Sequence, residues 1–143
     1  MMRLDYAFFA DSAAIPQDGK VYVLGGGFSQ LTLAQLPGRY AFAVVAGFRF
    51  DSSDVGHTHQ VELRFVDADG KLVIPPSNLQ FQAGGTPPVE DREWSVPTVT
   101  FISPMFGDAG NFAAEYWQGE RMLARIGLRV EAQAPGAEGP RPN

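Results

Sequence analysis

Two histidines separated by one residue are the side chains best suited to metal chemistry in this sequence. His57 and His59 stand at the start of an alternating apolar and polar stretch. Residues i and i+2 of a strand share a face, so these two imidazoles have the spacing to ligate one metal ion. A site needs a third ligand, which would be an acid brought close by the fold, such as Asp51, Asp54 or Asp108. The alternative is a polar strand start that binds no metal.

Acidic turns offer a second ligand set. Asp67 and Asp69 precede Gly70 after the same stretch, and carboxylates suit Ca²⁺. The segment lacks the later ligands and the closing glutamate of an EF-hand loop. Asp-Gly is also ordinary hairpin chemistry, which is the alternative interpretation. Because Asp51 and Asp54 lie before the strand and the other pair after it, we expect the two acidic sets at opposite ends of it.

Large aromatic residues suggest a contact surface. If alternate residues from Phe112 to Tyr116 face inward, Trp117 is shown on the outer face near Leu123 across a hairpin. These two residues and Trp94 form the binding patch that the sequence predicts, for a protein, a peptide or a carbohydrate. The alternative is a cross-strand pair covered by the polar loop from Gly84 to Glu93.

Several function classes are disfavoured by what the sequence lacks. There is no cysteine among the 143 residues, which removes thiolate metal sites and cysteine nucleophiles. The run from Gly25 to Gly27 fits neither phosphate-binding glycine pattern, and no serine lies in a nucleophile-elbow motif. A net charge of −5 disfavours nucleic acids and anionic membranes. We therefore expect no enzyme activity and no cofactor.

The elements that position these residues are predicted to be β-strands. Short alternating runs recur between clusters of Gly, Pro, Asp and Asn, and helical periodicity is nearly absent. Arg39 to Phe50 is the longest such run, and both of its faces are almost uncharged. This pattern indicates a central strand whose outer face is partly covered by another element or by a second subunit. Pro97 in a later run favours an edge strand or a bulge.

The domain is expected to span residues 1–132. Residues 133–143 are rich in Pro, Gly and Ala and predict a disordered tail. No apolar run approaches the roughly 18 residues of a membrane span, and the N-terminus does not read as a signal peptide. The sequence therefore predicts a cytoplasmic protein.

Several turn and strand motifs carry a resemblance to a known family. They are Leu4 to Asp11, Asp18-Gly19-Lys20, the run from Gly25 to Gly27, Val61 to Lys71, and the closing hairpin from Gly110 to Val130. With these motifs, residues 3–132 resemble a family of small bacterial all-β proteins described only as a domain of unknown function. The resemblance implies a sandwich-like fold and implies no activity.

Together these observations predict an all-β fold, namely one antiparallel β-sandwich of about eight to ten strands, immunoglobulin-like or jelly-roll. The leading functional hypothesis is a non-catalytic interaction or assembly module that acts through sheet faces and loops, with a protein partner or by self-association as a homo-oligomer. The alternative is a domain that binds a carbohydrate or peptide, with or without calcium. A metal-dependent enzyme built on His57 and His59 ranks third.

Overall fold

Strands dominate the computed structural model, which describes residues 1–82 and 92–134. The described residues form eleven strands and one short 3-10 helix, Ser52–Asp54, which we call η1. The strands are β1 (Arg3–Ala14), β2 (Tyr22–Phe28), β3 (Gln30–Leu33), β4 (Gly38–Arg39), β5 (Phe42–Phe50), β6 (Thr58–Val66), β7 (Ser77–Gln82), β8 (Trp94–Ile102), β9 (Met105–Phe106), β10 (Gly110–Gln118) and β11 (Arg121–Ala132).

The strands are arranged in three sheets. A four-stranded sheet has the order β2-β1-β5-β8, and a five-stranded sheet has the order β3-β11-β10-β6-β7. β4 and β9 form a third, two-stranded sheet. Neighbouring strands are antiparallel except β3 and β11, which are parallel. The all-β class is thus confirmed, whereas a single sandwich of eight to ten strands is not, because eleven strands form three sheets.

The main core is built from both larger sheets. β5 contributes Phe42 and Phe48, whose rings meet Phe65 of β6 and Tyr116 of β10 at centroid distances of 5.9 and 5.8 Å. Alternate residues of β5, from Phe42 to Phe50, belong to this core and are buried. Burying these large side chains away from water is the main force that holds the two sheets together.

The opposite face of β5 is also buried. Ala43 and Val45 form a second apolar cluster with Ala10 and Ala13 of β1. Val21, Val23 and other half-buried apolar side chains pack against this cluster. The prediction of a central strand with a covered outer face is therefore confirmed, and the hairpin of β1 and β2 provides part of the cover.

Glycines allow this hairpin to depart from a regular ladder. Gly25 and Gly27 have φ values of 62° and 88°, a conformation that side chains with a Cβ rarely adopt. The register between β1 and β2 shifts between Phe9 and Ala10, opposite these glycines. The glycine run thus marks a bulge. The edge position predicted from Pro97 is also confirmed, because β8 ends the four-stranded sheet.

Two segments depart from a regular ladder. Residues 71–74 form only an isolated bridge, between Leu72 and Val66. A tight turn precedes this segment and two prolines, which cannot donate to a ladder, follow it. Met122 is exposed, because a register shift beside Trp117 moves Leu123 toward the core.

The last described strand is followed by one further backbone hydrogen bond. β11 ends at Ala132, and the backbone N–H of Gln133 donates to the carbonyl of Leu33 at 2.7 Å. Residues 135–143 of the predicted tail and residues 84–91 of the predicted polar loop lie outside the described residues.

Candidate functional site

Asp54 is the one charged side chain that is buried among the described residues, with 3% of its surface exposed. It ends η1, which begins after Asp51 with a capping box. One carboxylate oxygen of Asp54 accepts the N–H of Met2 at 3.0 Å, and the other accepts the N–H of Asp51 at 2.8 Å. The buried carboxylate therefore ties the start of β1 to the segment between β5 and β6.

His59 of β6 lies beside this carboxylate. Its Nε2 is 3.0 Å from Oδ1 of Asp54, an ion-pair distance without hydrogen-bond geometry. Its Nδ1 is 3.0 Å from Nε2 of Gln118. Because an amide nitrogen only donates, Nδ1 is the acceptor of this hydrogen bond. The imidazole is thus held in one orientation between β10 and η1.

His57 does not join this group. It precedes β6 and is exposed, and its backbone N–H donates to the carbonyl of Asp54. Within residues 1–82 and 92–134, no group of three His, Cys, Asp or Glu side chains is arranged to hold a metal ion. The structure therefore brings His59 to one of the predicted acids, Asp54, and leaves its predicted partner histidine in solvent.

The N-terminal ammonium also contacts this region. It pairs with the carboxylate of Asp51 and lies 3.4 Å from that of Asp54. The hydrogen bond from the ammonium, with further bonds from Ser53, lowers the pKa of Asp51 to about 2. The same interaction raises the pKa of the ammonium group. Asp51, Asp54 and His59 thus form one polar cluster at the start of β6.

Asp67 and Asp69 lie at the other end of β6, as expected from their positions in the chain. They line a cleft of about 390 Å³ together with Asp108. One oxygen of Asp67 already accepts the N–H groups of Asp69 and Lys71, both at 2.9 Å. This bonding stabilises the turn and accounts for an aspartate at position 67 without any cation.

The predicted binding patch is not gathered on one surface. Trp117 lies in the five-stranded sheet, where the guanidinium of Arg64 sits 4.8 Å from its ring centroid. Leu123 packs against the main core rather than standing beside Trp117. Trp94 belongs to the four-stranded sheet, where it stacks on Phe50.

A different apolar surface lies on the outer side of the four-stranded sheet. We call it the apolar face, and it consists of the half-buried Tyr6, Phe8 and Val99 and the exposed Phe101, arranged around the buried Val45. Cross-strand pairing places these residues side by side, since Val45 pairs with both Phe8 and Val99. The rings of Tyr6 and Phe8 stack at 6.1 Å, and Phe101 is 64% exposed.

Sequence reasoning had found part of this surface. The uncharged outer side of β5 was recognised from its alternation. Phe101 was missed, because the strand that carries it reads as apolar on both faces, so only the pairing of Phe101 with Ala43 assigns it to the outer side. The capping box from Asp51 to Asp54 was a readable signal for η1 and for a structural role of both acids.

Fold and surface define an all-β protein with an apolar, partly exposed outer sheet face and a polar cluster at one end of a central strand. Residues 5–131 match the family of unknown function DUF6941, and the chain belongs to that family. No curated protein matches the chain. In the described part of the chain, no helix has the length and apolar character needed to cross a membrane.

Proposed function

We propose that this protein is a non-catalytic interaction and assembly module whose contact surface is the apolar face. The observation that carries the proposal is the exposure of Phe101 beside the half-buried Tyr6, Phe8 and Val99. A contiguous exposed apolar surface is uncommon on monomeric proteins and is typical of an interface. In this proposal the two larger sheets act as the halves of a sandwich-like scaffold, immunoglobulin-like or jelly-roll in kind.

Charge favours a second copy of the chain as the partner. Described charged groups at one end of the apolar face are paired around Arg49. Arg49 donates to Asp5 at 2.6 Å and lies 3.6 Å from Glu93, which accepts from Arg3 at 2.9 Å. These two positive and two negative groups compensate one another. In a chain of net charge −5, a surface whose described charges are paired in this way is where two copies approach with little repulsion.

The geometry of a sheet face also suits self-association. A two-fold axis would place the same patch of both copies in contact, so one apolar surface would cover itself. Covering Phe101 in this way would remove its aromatic surface from water, which is the main favourable term in such association. Aromatic residues of this kind dominate the binding energy of interfaces.

The test is the solution mass of matched variants, measured by light scattering after size exclusion at about 10 to 100 micromolar. Wild type is expected to be a dimer and Phe101→Glu a monomer, because a carboxylate would be desolvated at the interface. Met122→Glu is the matched control, since Met122 is also exposed but lies on the other sheet. A dimer in all three proteins, or a monomer in wild type, would overturn the proposal.

A further inference from the structure

Among the described strands, β11 has an edge that is open along part of its length. β11 has twelve residues, but β3 pairs only with its end, from Arg129 to Ala132. On this side of β11, no other described strand is hydrogen-bonded to it, and β1 of the facing sheet borders the gap. Residues 121–128 of β11 therefore have a partner strand, β10, on one side only.

In residues 121–128 of β11, the backbone N–H and C=O groups of every second residue point away from β10. The N–H of Arg129 donates to the carbonyl of Ser29 at 2.9 Å, so the backbone groups of Arg129 face the β3 side. Direction alternates along a strand, so the N–H and C=O groups of Arg125 and Gly127 face the same side, beyond the reach of β3. Such unpaired groups are a template for an added strand.

Neither the backbone conformation of residue 127 nor the space around it requires a glycine. It lies within a regular strand, its φ is outside the left-handed region, and a Cβ there would meet no described atom within 4 Å. Glycine inside a strand weakens it and frequently marks a place where another backbone approaches closely. At this position the absent side chain leaves the open edge accessible.

Two clefts meet at this edge, with volumes of about 520 and 320 Å³. Both are lined by Ser29, Arg125 and Gly127. The smaller cleft also has an apolar side, which includes Phe28 and Ile126. The charged residues that line the two clefts are Arg125 and Arg129, both basic, in a chain of net negative charge.

The two arginines are able to exchange their present partners. Arg125 lies 3.4 Å from Glu115 and its side chain is 52% exposed, while Arg129 contacts Glu131 at 3.1 Å and is 45% exposed. Exposed ion pairs of this kind contribute little free energy, so a carboxylate of a ligand competes with them at little cost. Both arginines project from the same face of β11 as Gly127.

We propose that the open edge of β11 binds an extended acidic peptide as an added strand in line with β3. Its backbone pairs with Arg125 and Gly127. Its alternate side chains point to opposite faces, so acidic residues meet Arg125 and Arg129 while apolar residues enter the cleft beside Phe28 and Ile126. This recognition uses the edge of β11 rather than the apolar face, although Phe8 belongs to that face and also lines the smaller cleft. It does not require a second copy of the chain.

The direct test uses a capped synthetic peptide of about six residues in which glutamate alternates with valine. In the free protein, the amides of Arg125 and Gly127 are expected to exchange with solvent faster than those of Ile126 and Leu128, which face β10. The peptide should shift the amide resonances of residues 125 and 127 and slow their exchange. A peptide with lysine in place of glutamate should bind about tenfold more weakly.

Two substitutions of Gly127 distinguish the effect of losing its backbone N–H from the effect of adding a side chain. Gly127→Pro removes the proposed donor and is tolerated at an open edge, so it should weaken peptide binding by about tenfold or more. Gly127→Ala keeps the donor but adds a Cβ at the edge, so it should weaken peptide binding by only about threefold, less than the proline variant. The resonance shifts of wild type test the proposal even if the proline variant fails to fold.

Four results would overturn the proposal. The first is equal binding of the glutamate peptide to the proline and alanine variants. The second is the absence of resonance shifts at residues 125 and 127 at saturating peptide. The third is resonance shifts there with a neutral oligosaccharide such as maltohexaose and not with the peptide. The fourth is protection of the Gly127 amide that rises with protein concentration alone, which would assign the edge to a second copy.

Discussion

The ring of Tyr6 lies directly over Gly47, its cross-strand partner in the four-stranded sheet. A Cβ placed on Gly47 would stand 2.2 Å from Cε1 of Tyr6, well inside contact distance. Glycine at this position therefore lets an aromatic ring cover the backbone of a central strand and fixes the orientation of the ring in the apolar face.

Gly47→Ala should consequently destabilise the fold by about 1 to 3 kcal/mol, because the new methyl group displaces the Tyr6 ring. The measurement is urea unfolding of the variant. Gly127→Ala is the control, since it adds a methyl group to a strand where no described atom lies within 4 Å, and its stability should differ little from wild type. If Gly47→Ala in a Tyr6→Ala background still costs as much as in wild type, the ring is not the cause.

Asp54 is expected to be structurally essential. Asp54→Ala leaves the buried N–H of Met2 and the N–H of Asp51 without their acceptor, and it should cost about 2 to 4 kcal/mol of unfolding free energy. Asp69→Ala is the control, because Asp69 is an exposed turn residue, and its effect should stay within about 0.5 kcal/mol. Equal stability of the two variants would contradict the role assigned to Asp54.

Tyr116 should make the protein sensitive to alkali. Burial raises the pKa of its phenol above the usual value, and its hydroxyl has no hydrogen-bond partner among the described residues. Because the pKa of Tyr116 is higher in the folded than in the unfolded state, its contribution to the free energy of unfolding is fully present below about pH 10. This contribution is lost as the pH rises further. Unfolding free energies at stepwise higher pH should therefore fall, and by less in Tyr116→Phe.

At neutral pH the same substitution should be neutral or stabilising by about 1 kcal/mol, because it removes a buried hydroxyl that lacks a partner. Loss of stability by more than that in Tyr116→Phe would show that the hydroxyl is bonded in solution.

Asp51 should contribute to stability in acid. Its pKa is lowered to about 2, first by its hydrogen bond with the N-terminal ammonium. A depressed folded-state pKa means that its contribution is present above about pH 4 and is lost as the pH falls toward the folded-state value. The loss of thermal stability between these pH values should be smaller in Asp51→Asn than in wild type. An identical acid slope in both proteins would exclude this role.

Alternation and turn chemistry were sufficient to predict much of the fold. The central strand within Arg39 to Phe50 and the edge strand that carries Pro97 both follow from local rules. The isolated bridge at Leu72 and the shift beside Trp117 do not, because one extra residue in a ladder depends on how two distant segments pair. The third sheet was missed for the same reason, since β4 and β9 are each two residues long.

The site was less predictable from the sequence. His59 and Asp54 were both candidates, but which acid approaches which histidine depends on the packing of η1 against β6 and β10. A regular hairpin would place Trp117 and Leu123 on the same face. The register shift between Tyr116 and Trp117 places them on opposite faces. Nothing in the local sequence marks Gly127 as part of a binding edge. Its position becomes meaningful only in the structure, where β3 ends before it reaches residue 127 of β11.

The proposed assembly is tested most directly by sedimentation equilibrium of wild type at low and high sodium chloride. An apolar face whose charges are compensated should give a dimer at micromolar concentration, with a dissociation constant that changes by less than about threefold between roughly 0.05 and 0.5 M salt. A monomer throughout the micromolar range would contradict the account, and so would a dimer that dissociates when salt is added.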